Sequence, residues 1–454
     1  MKKSYLTILL IFCVYFSQAQ FGEEQIIDID VSMAKSVHSA DIDNDGDMDV
    51  ISASFGGDKL EWYENLDGLG NFSQARLIAN TTDGAFDVRA ADIDGDGFID
   101  IVHASLYWNS LTWYKNVDGL GNFIPRFITS GVSDKGIWTV YPGDIDGDGD
   151  LDLFYSYYYD DKIVWFENLN GLGVFGDEQI IDQDLIGPQS IKLNDIDGDG
   201  DLDLIASVFL EDKVVWYKNL DGQGDFSNQI LITTETIEAS TVFVVDLDGD
   251  NDMDVISSSQ GDNKIAWYEN LDGLGVFSDQ IIISTNSTEA EYVHSEDLDN
   301  DGDMDILSVF GNSIAWHENL NGQGNFGVQQ IISSEMESST STYTGDLDGD
   351  GDKDVLSSSW YDGKIAWYEN LSPLTIDKHS IEVFSIYPNP TSDILNISLL
   401  NQSIKEVKII NLQGINVKEI ITNNQIDVSD LTTGMYFVKI ESEENSVIKK
   451  MIKL

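Results

Sequence analysis

The chain has 454 residues, and 81 acidic side chains against 24 basic ones give a formal net charge of −57. A polyanion of that density repels phosphate and cannot release counterions from it, which excludes nucleic acid as a partner and disfavours an anionic membrane surface. With 11% aromatic and 42% hydrophobic residues, the composition is that of a globular protein and not of a disordered one.

Residues 1–19 read as a secretory signal peptide. Lys2 and Lys3 precede an apolar run, and the small residues Ser17 and Ala19 place cleavage after Ala19. The run is too short to predict a membrane span. Cys13 is the only cysteine and leaves with this segment, so any stapling of the mature chain is expected to come from metal.

From residue 20 to 371 one unit recurs. Its marker is a nine-residue acidic loop: DIDNDGDMD from Asp41, DIDGDGFID from Asp92, DIDGDGDLD from Asp144 and from Asp195, DLDGDNDMD from Asp246, DLDNDGDMD from Asp297 and DLDGDGDKD from Asp346. The steps are 51, 52, 51, 51, 51 and 49 residues. In the first unit an apolar stretch (36–40) leads into the loop, followed by 50–54, a variable turn, 60–65, a glycine-rich turn (67–72) and 75–78. Short lengths, alternation and turn residues at each break predict four antiparallel strands per unit and no helix. Short β units at this period predict an all-β propeller.

The first three strands occur seven times, but only six fourth strands follow a third one. The missing copy sits at the other end, where Phe21–Asp28 (FGEEQIID) nearly repeats Phe175–Asp182 (FGDEQIID). Residues 21–30 are therefore expected to supply the outer strand of the last unit, closing a seven-bladed ring and hiding its sheet edge. Trp62, Trp113, Trp165, Trp216, Trp267, Trp316 and Trp367 share one place in the third strand and are expected to pack between blades.

In every loop carboxylates fall at positions one, three, five and nine. They are Asp41, Asp43, Asp45 and Asp49; Asp92, Asp94, Asp96 and Asp100; Asp144, Asp146, Asp148 and Asp152; Asp195, Asp197, Asp199 and Asp203. The last three sets are Asp246, Asp248, Asp250 and Asp254; Asp297, Asp299, Asp301 and Asp305; Asp346, Asp348, Asp350 and Asp354. Oxygen ligands at this spacing can wrap a hard cation, with the position-seven carbonyl completing the shell. A flexible shell of many oxygens favours calcium over magnesium, giving up to seven calcium ions. Position six needs a left-handed backbone, which suits glycine and, next best, Asn251. Lys353 stands where the other loops have an apolar residue and is expected to weaken the seventh site. An EF-hand is ruled out, because its loop is longer and lies between helices.

The loops and their flanking strands resemble the calcium-binding FG-GAP (or VCBS) repeats of seven-bladed propellers, the kind found in integrin α-subunits. The resemblance covers residues 21–371 and implies that the same aspartates are the metal ligands.

In such a blade the acidic loops and glycine-rich turns lie on one face. The turns between second and third strands, and the connections into the first, lie on the other. That second face is where the repeats differ. Tyr107, Trp108, Trp138, Tyr158, Trp360 and Tyr361 are the candidate ligand-binding residues there, since variable aromatic loops on a rigid scaffold make a binding surface. A second variable set, His38, Arg89, Tyr141, Lys192, Phe243, His294 and Tyr343, is expected to line the mouth of the central channel. No catalytic constellation emerges, since His317-Glu318-Asn319 has no second histidine at the required offset.

After a linker at 372–380 the composition changes. Residues 372–454 hold 8 lysines and 10 acids, and short alternating strands through 381–454 predict a small Ig-like β-sandwich. YPNP at 387–390, GMYFVKI at 434–440 and the basic terminus resemble the type A C-terminal sorting domain of type IX secretion. That resemblance implies the secretion machinery as a partner and export through the outer membrane, to the cell surface or beyond. Together these readings give a secreted or surface-attached, calcium-binding, monomeric propeller that binds an extracellular glycan or surface protein as an adhesion or lectin-like module. The alternatives are a lyase-like enzyme acting on extracellular polysaccharide and a structural surface component.

Overall fold

The computed structural model describes residues 20–107, 110–129, 136–371, 384–387, 390–399, 405–411, 416–420, 425–441 and 446–453. The leader 1–19, Trp108, the linker 372–380 and the central Pro388-Asn389 of the YPNP motif lie outside the described residues. The chain divides into two compact units between Leu374 and Thr375.

The described residues of the first unit form seven four-stranded antiparallel sheets. The first sheet runs Ala34–Ala40, Asp49–Ser54, Lys59–Tyr63 and Arg76–Ala79 from inner to outer edge, and five more repeat that order. In the seventh, Ser339–Gly345, Asp354–Ser359 and Ile365–Tyr368 are joined at the outer edge by Gln25–Asp28, with Gln25 opposite Trp367 and Ile26 opposite Ala366. The one helical element among the described residues is a 3₁₀ turn at Phe209–Glu211.

Burial follows strand position. Asp49–Ser54 is buried along its whole length, because a neighbouring blade covers each face, and its residues after the first (VISAS) are apolar or small. Arg76–Ala79, at the rim, is exposed or half-buried.

The cores lie between blades. Trp113 of the second blade packs in one cluster with Leu153, Val164 and Phe166 of the third. Val37, Val50 and Tyr63 of the first blade share a cluster with Leu347, Leu356 and Trp367 of the seventh. Each repeated tryptophan is 2–4% exposed. The glycine-rich turn of the following blade lies over it: a Cβ on Gly121 would stand 2.3 Å from the Trp62 ring, and one on Gly70 2.2 Å from Trp367. Both glycines also have φ above +70°, so close approach and backbone each demand glycine.

The asparagine ending each third strand reaches across the same seam. Asn116 Nδ2 donates to Ile42 O of the preceding blade at 2.8 Å, and Asn65 Nδ2 of the first blade donates to Leu347 O of the seventh at 2.8 Å. Asn168, Asn219, Asn270, Asn319 and Asn370 repeat the contact at 2.7–3.0 Å. Each buried carbonyl so paired belongs to position two of an acidic loop, so the loop face and the blade seams are one hydrogen-bonded system.

In the second unit, Phe384–Tyr387, Ile394–Leu399 and Gln425–Asp427 form one antiparallel sheet. Asn416–Ile420, Glu406–Asn411, Gly434–Glu441 and Ser446–Lys453 form another. Leu395, Ile397, Ile426 and Val428 meet Val407, Ile409, Val438 and Met451 in a common core, the arrangement of a small sandwich.

Candidate functional site

On the loop face each acidic loop is wound around its own carboxylates. Asp41 accepts from the backbone N–H groups of Asp45 and Gly46, both at 3.1 Å, and Asp45 Oδ1 accepts from Asp47 N–H at 3.0 Å. Position six has positive φ in every loop, Asn251 (φ 73°) included. Position four does so as well: Asn44, Gly95, Gly147, Gly198, Gly249, Asn300 and Gly349 have φ between 57° and 76°. The restriction of that position to Asn and Gly was readable in the sequence.

The nine-residue spacing brings the carboxylates of positions one, three and five together. Those of Asp41, Asp43 and Asp45, of Asp195, Asp197 and Asp199, and of Asp246, Asp248 and Asp250 each offer oxygens within 4.8 Å of one another. Position nine has a further task. Asp49, fully buried, accepts from Asn65 N–H at 2.8 Å and Ile42 N–H at 3.0 Å, bracing the loop against the third strand. The same two bonds recur in all seven blades, at 2.7–3.3 Å. In the third loop Asp152 also belongs to the oxygen cluster, with Asp144 and Asp146.

These clusters could hold a metal ion, and the structure supplies a test of fit. The Oδ1 atoms of Asp43, Asp94, Asp144, Asp197, Asp248 and Asp346 are buried yet accept no hydrogen bond. Leaving a buried carboxylate oxygen unpaired is costly unless a cation takes its lone pairs. Burial also pushes Asp49, Asp100, Asp152 and Asp254 up to about 7, Asp203 to about 6 and Asp305 and Asp354 to about 8, with backbone N–H donors pulling back. Burial raises Asp43, Asp146, Asp248 and Asp348 as well, and neighbouring loop acids add to it. An oxygen-only set carrying this much uncompensated negative charge suits a hard divalent cation.

The opposite face is organised by a β-bulge. In all seven inner strands the pairing slips by one residue near the start, between Ala34 and Ser36 in the first blade. The residues at the slip are Lys35, Phe86, Trp138, Gln189, Ser240, Glu291 and Thr340. A bulge leaves its extra residue unpaired and re-aims the side chain. Members of this ring, with Tyr158, Phe209, Gln260, Trp360 and Tyr361 from the neighbouring turns, line a funnel of about 340 Å³.

The funnel is two-sided. Trp138 stacks on Tyr158 with centroids 4.4 Å apart and lies 4.2 Å from Phe86. Phe55 continues the arc to Trp360 at 5.1 Å and to Tyr107 at 5.4 Å. Facing them are Gln189, Gln260 and Glu291, and the Lys35 ammonium pairs with the Glu291 carboxylate. Of the aromatic candidates, Trp138, Tyr158, Trp360 and Tyr361 line the funnel, and Tyr107 is exposed behind Phe55.

The expectation that His38, Arg89, Tyr141, Lys192, Phe243, His294 and Tyr343 line the channel mouth needs correcting. The bulge puts the mouth three residues earlier in each inner strand; Arg89 and Lys192 still line the cavity beneath that ring, and the rest of the expected set packs together below it. His38 lies 4.0 Å from Tyr343, Phe243 lies 4.8 Å from His294, and Lys192 sits over Tyr141 at 4.9 Å. Burial, reinforced by Arg89 and Lys192, lowers His38 and His294 to about 3, and burial with Arg89 lowers Lys192 to about 7. A base whose folded pKa is depressed favours folding above its unfolded value and loses that contribution as pH falls towards the folded value. For the two histidines the window runs from about 6.5 down to about 3. In calcium buffer the melting temperature should fall between about pH 7 and pH 5. Replacing both, His38→Gln with His294→Gln, should roughly halve that slope, since burial lowers His103 to about 3 and His317 to about 4 as well. An unchanged slope would contradict a plug held by neutral histidines.

Comparison with known proteins agrees with this geometry. A model of the FG-GAP-like repeat matches residues 41–103, 104–155, 144–206, 195–257, 246–308 and 297–357. A model of the secretion system C-terminal sorting domain matches 385–454, which indicates export through the type IX system to the cell surface or outside. No helix among the described residues is long and apolar enough to cross a membrane. Over 90 residues the chain is 37% identical to the ulvan lyase of Nonlabens ulvanivorans, a stretch that spans 19% of this chain and 17% of that protein. Among solved structures, an Agrocybe aegerita lectin that recognises non-reducing terminal N-acetylglucosamine superposes with a TM-score of 0.54 at 18% identity, over 76% of this chain and 87% of that one. The virginiamycin B lyase of Staphylococcus aureus does so with a TM-score of 0.50 at 12% identity, over 77% and 99%. At these identities the likeness is one of fold. The six repeat matches run through residues 41–357, and the chain belongs to the FG-GAP-like repeat family.

Proposed function

We propose that this chain is an exported, calcium-braced glycan-binding module, a monomer of seven blades closed into a ring, whose ligand enters the bulge-lined funnel. The observation that carries the reading is the two-sided funnel, with an arc of Phe86, Trp138, Tyr158 and Trp360 facing Gln189, Gln260 and Glu291. A sugar ring presents one apolar face and a rim of hydroxyls, and an aromatic wall opposite amide and carboxylate groups matches both. The ions would be held by the aspartates of positions one, three and five, with position nine as ligand and brace. Their chemistry there is charge neutralisation, and the loops face away from the funnel.

A glycan array with and without calcium tests this. We expect binding without turnover, and a loss of about thirtyfold for Trp138→Ala, the scale of a buried aromatic anchor, with a melting temperature only a few degrees lower from the lost ring contacts. Undiminished binding by Trp138→Ala together with Tyr361→Ala would place the ligand elsewhere. The stretch similar to an ulvan lyase favours a second reading, a lyase acting on extracellular polysaccharide. Release of unsaturated products from the bound glycan would support that reading over the first.

A further inference from the structure

One position in the third strand divides the seven blades into two classes. It lies two residues after the repeated tryptophan and is glutamate in five blades: Glu64, Glu167, Glu269, Glu318 and Glu369. In the second and fourth blades it is lysine, Lys115 and Lys218. The substitution changes what faces the acidic loop. Lys115 Nζ donates to Asp94 and, at 2.7 Å, to Asp96 Oδ2. Lys218 Nζ donates to Asp197 and, at 2.9 Å, to Asp199 Oδ2. These are the position-three and position-five acids of the same blade, and Asp94 and Asp197 are only 7% and 8% exposed.

The two ammonium groups therefore stand among the oxygens that the other loops leave for an ion. Each brings three donors and one positive charge, on a stem fixed to a buried strand. The second loop departs in a further way, with Phe98 where every other loop has a fifth aspartate. An incoming divalent ion would meet a like charge at hydrogen-bond distance from two of its ligands. By contrast, the lysine that stood out in the sequence, Lys353, is not among those that reach loop carboxylates.

We infer that Lys115 and Lys218 act as tethered cations in place of calcium, so that the chain binds five ions and not seven, and that its second and fourth loops stay ordered without metal. This rests on the calcium reading above. The test is an ion count on the purified full chain by native mass spectrometry in excess calcium. We expect five ions for the wild type and seven for the variant carrying Lys115→Glu and Lys218→Glu. Seven in the wild type, or a count that the double substitution leaves unchanged, overturns the inference alone. Zero in the wild type removes the calcium reading with it. Should the double variant not fold, hydrogen exchange on the chelated wild type decides. Protection retained at the amides of Asp96, Gly97, Asp199 and Gly200, and lost at their equivalents in the other five loops, supports the tethered cations; uniform loss overturns them.

Discussion

Chelating calcium from the purified chain should lower its melting temperature by at least about 13 °C. Each site filled at a hundred times its dissociation constant adds about 2.7 kcal/mol. Five such sites approach the whole of a domain's stability, which is on the order of 5–15 kcal/mol, and about 1 kcal/mol corresponds to a degree or more in a chain of this size. The cause is visible in the loops. In four of those five loops a buried position-one or position-three oxygen, on Asp43, Asp144, Asp248 or Asp346, accepts no hydrogen bond, and a ring of buried position-nine carboxylates holds pKa values of about 6 to 8. A carboxyl whose folded pKa is raised favours folding below its unfolded value, near 4, and loses that contribution as pH rises through the folded value. The chelated chain should therefore be weaker at about pH 8 than at about pH 5.5, and the loss on chelation larger at the higher pH. Differential scanning calorimetry checks both, and a melt indifferent to chelator would contradict the calcium reading.

Deleting residues 20–28 should be the most damaging small truncation. It removes the strand Gln25–Asp28 from the edge of Ile365–Tyr368 and leaves that edge open. It also takes away Phe21, which is 8% exposed and packs edge-on against Trp316 at 6.0 Å. Glu24 goes with it, although Lys364 and Tyr368 both donate to its carboxylate at 3.0 Å. Loss of one large buried aromatic costs about 3–5 kcal/mol, before the strand hydrogen bonds are counted. We expect a melting temperature at least about 5 °C lower on the same scale, with aggregation through the exposed edge. An unchanged melt would contradict a ring closed by the N-terminal strand.

Much of this architecture is legible in the sequence because it repeats. A tryptophan in the same place in seven third strands points to a role shared by every blade, and the structure seats each one against the next blade. The pairing of Gln25–Asp28 with Ile365–Tyr368 is likewise where the count of strands puts it. The features that escape are those that depend on register or on a neighbour. His38 and its equivalents, three residues before each loop, are expected at the channel mouth, but the bulge at Lys35 shifts the mouth along the strand. No local rule marks that bulge, since the residues at it range from Lys to Trp to Thr. Asn65 is invariant among the seven units, yet its partner, Leu347 O, lies 282 residues away. Lys115 and Lys218 look like ordinary surface lysines until the fold sets them against the loops of their own blades.

On the proposed function the two faces have different tasks, with ions bracing the scaffold and the funnel taking the ligand. A crystal structure of the full chain with calcium and the best glycan from the array tests that division most directly. It should show the sugar against Trp138, Tyr158 and Trp360, on the face opposite the loops and out of contact with any calcium ion. A glycan coordinated by a loop ion, with the funnel empty, would contradict it.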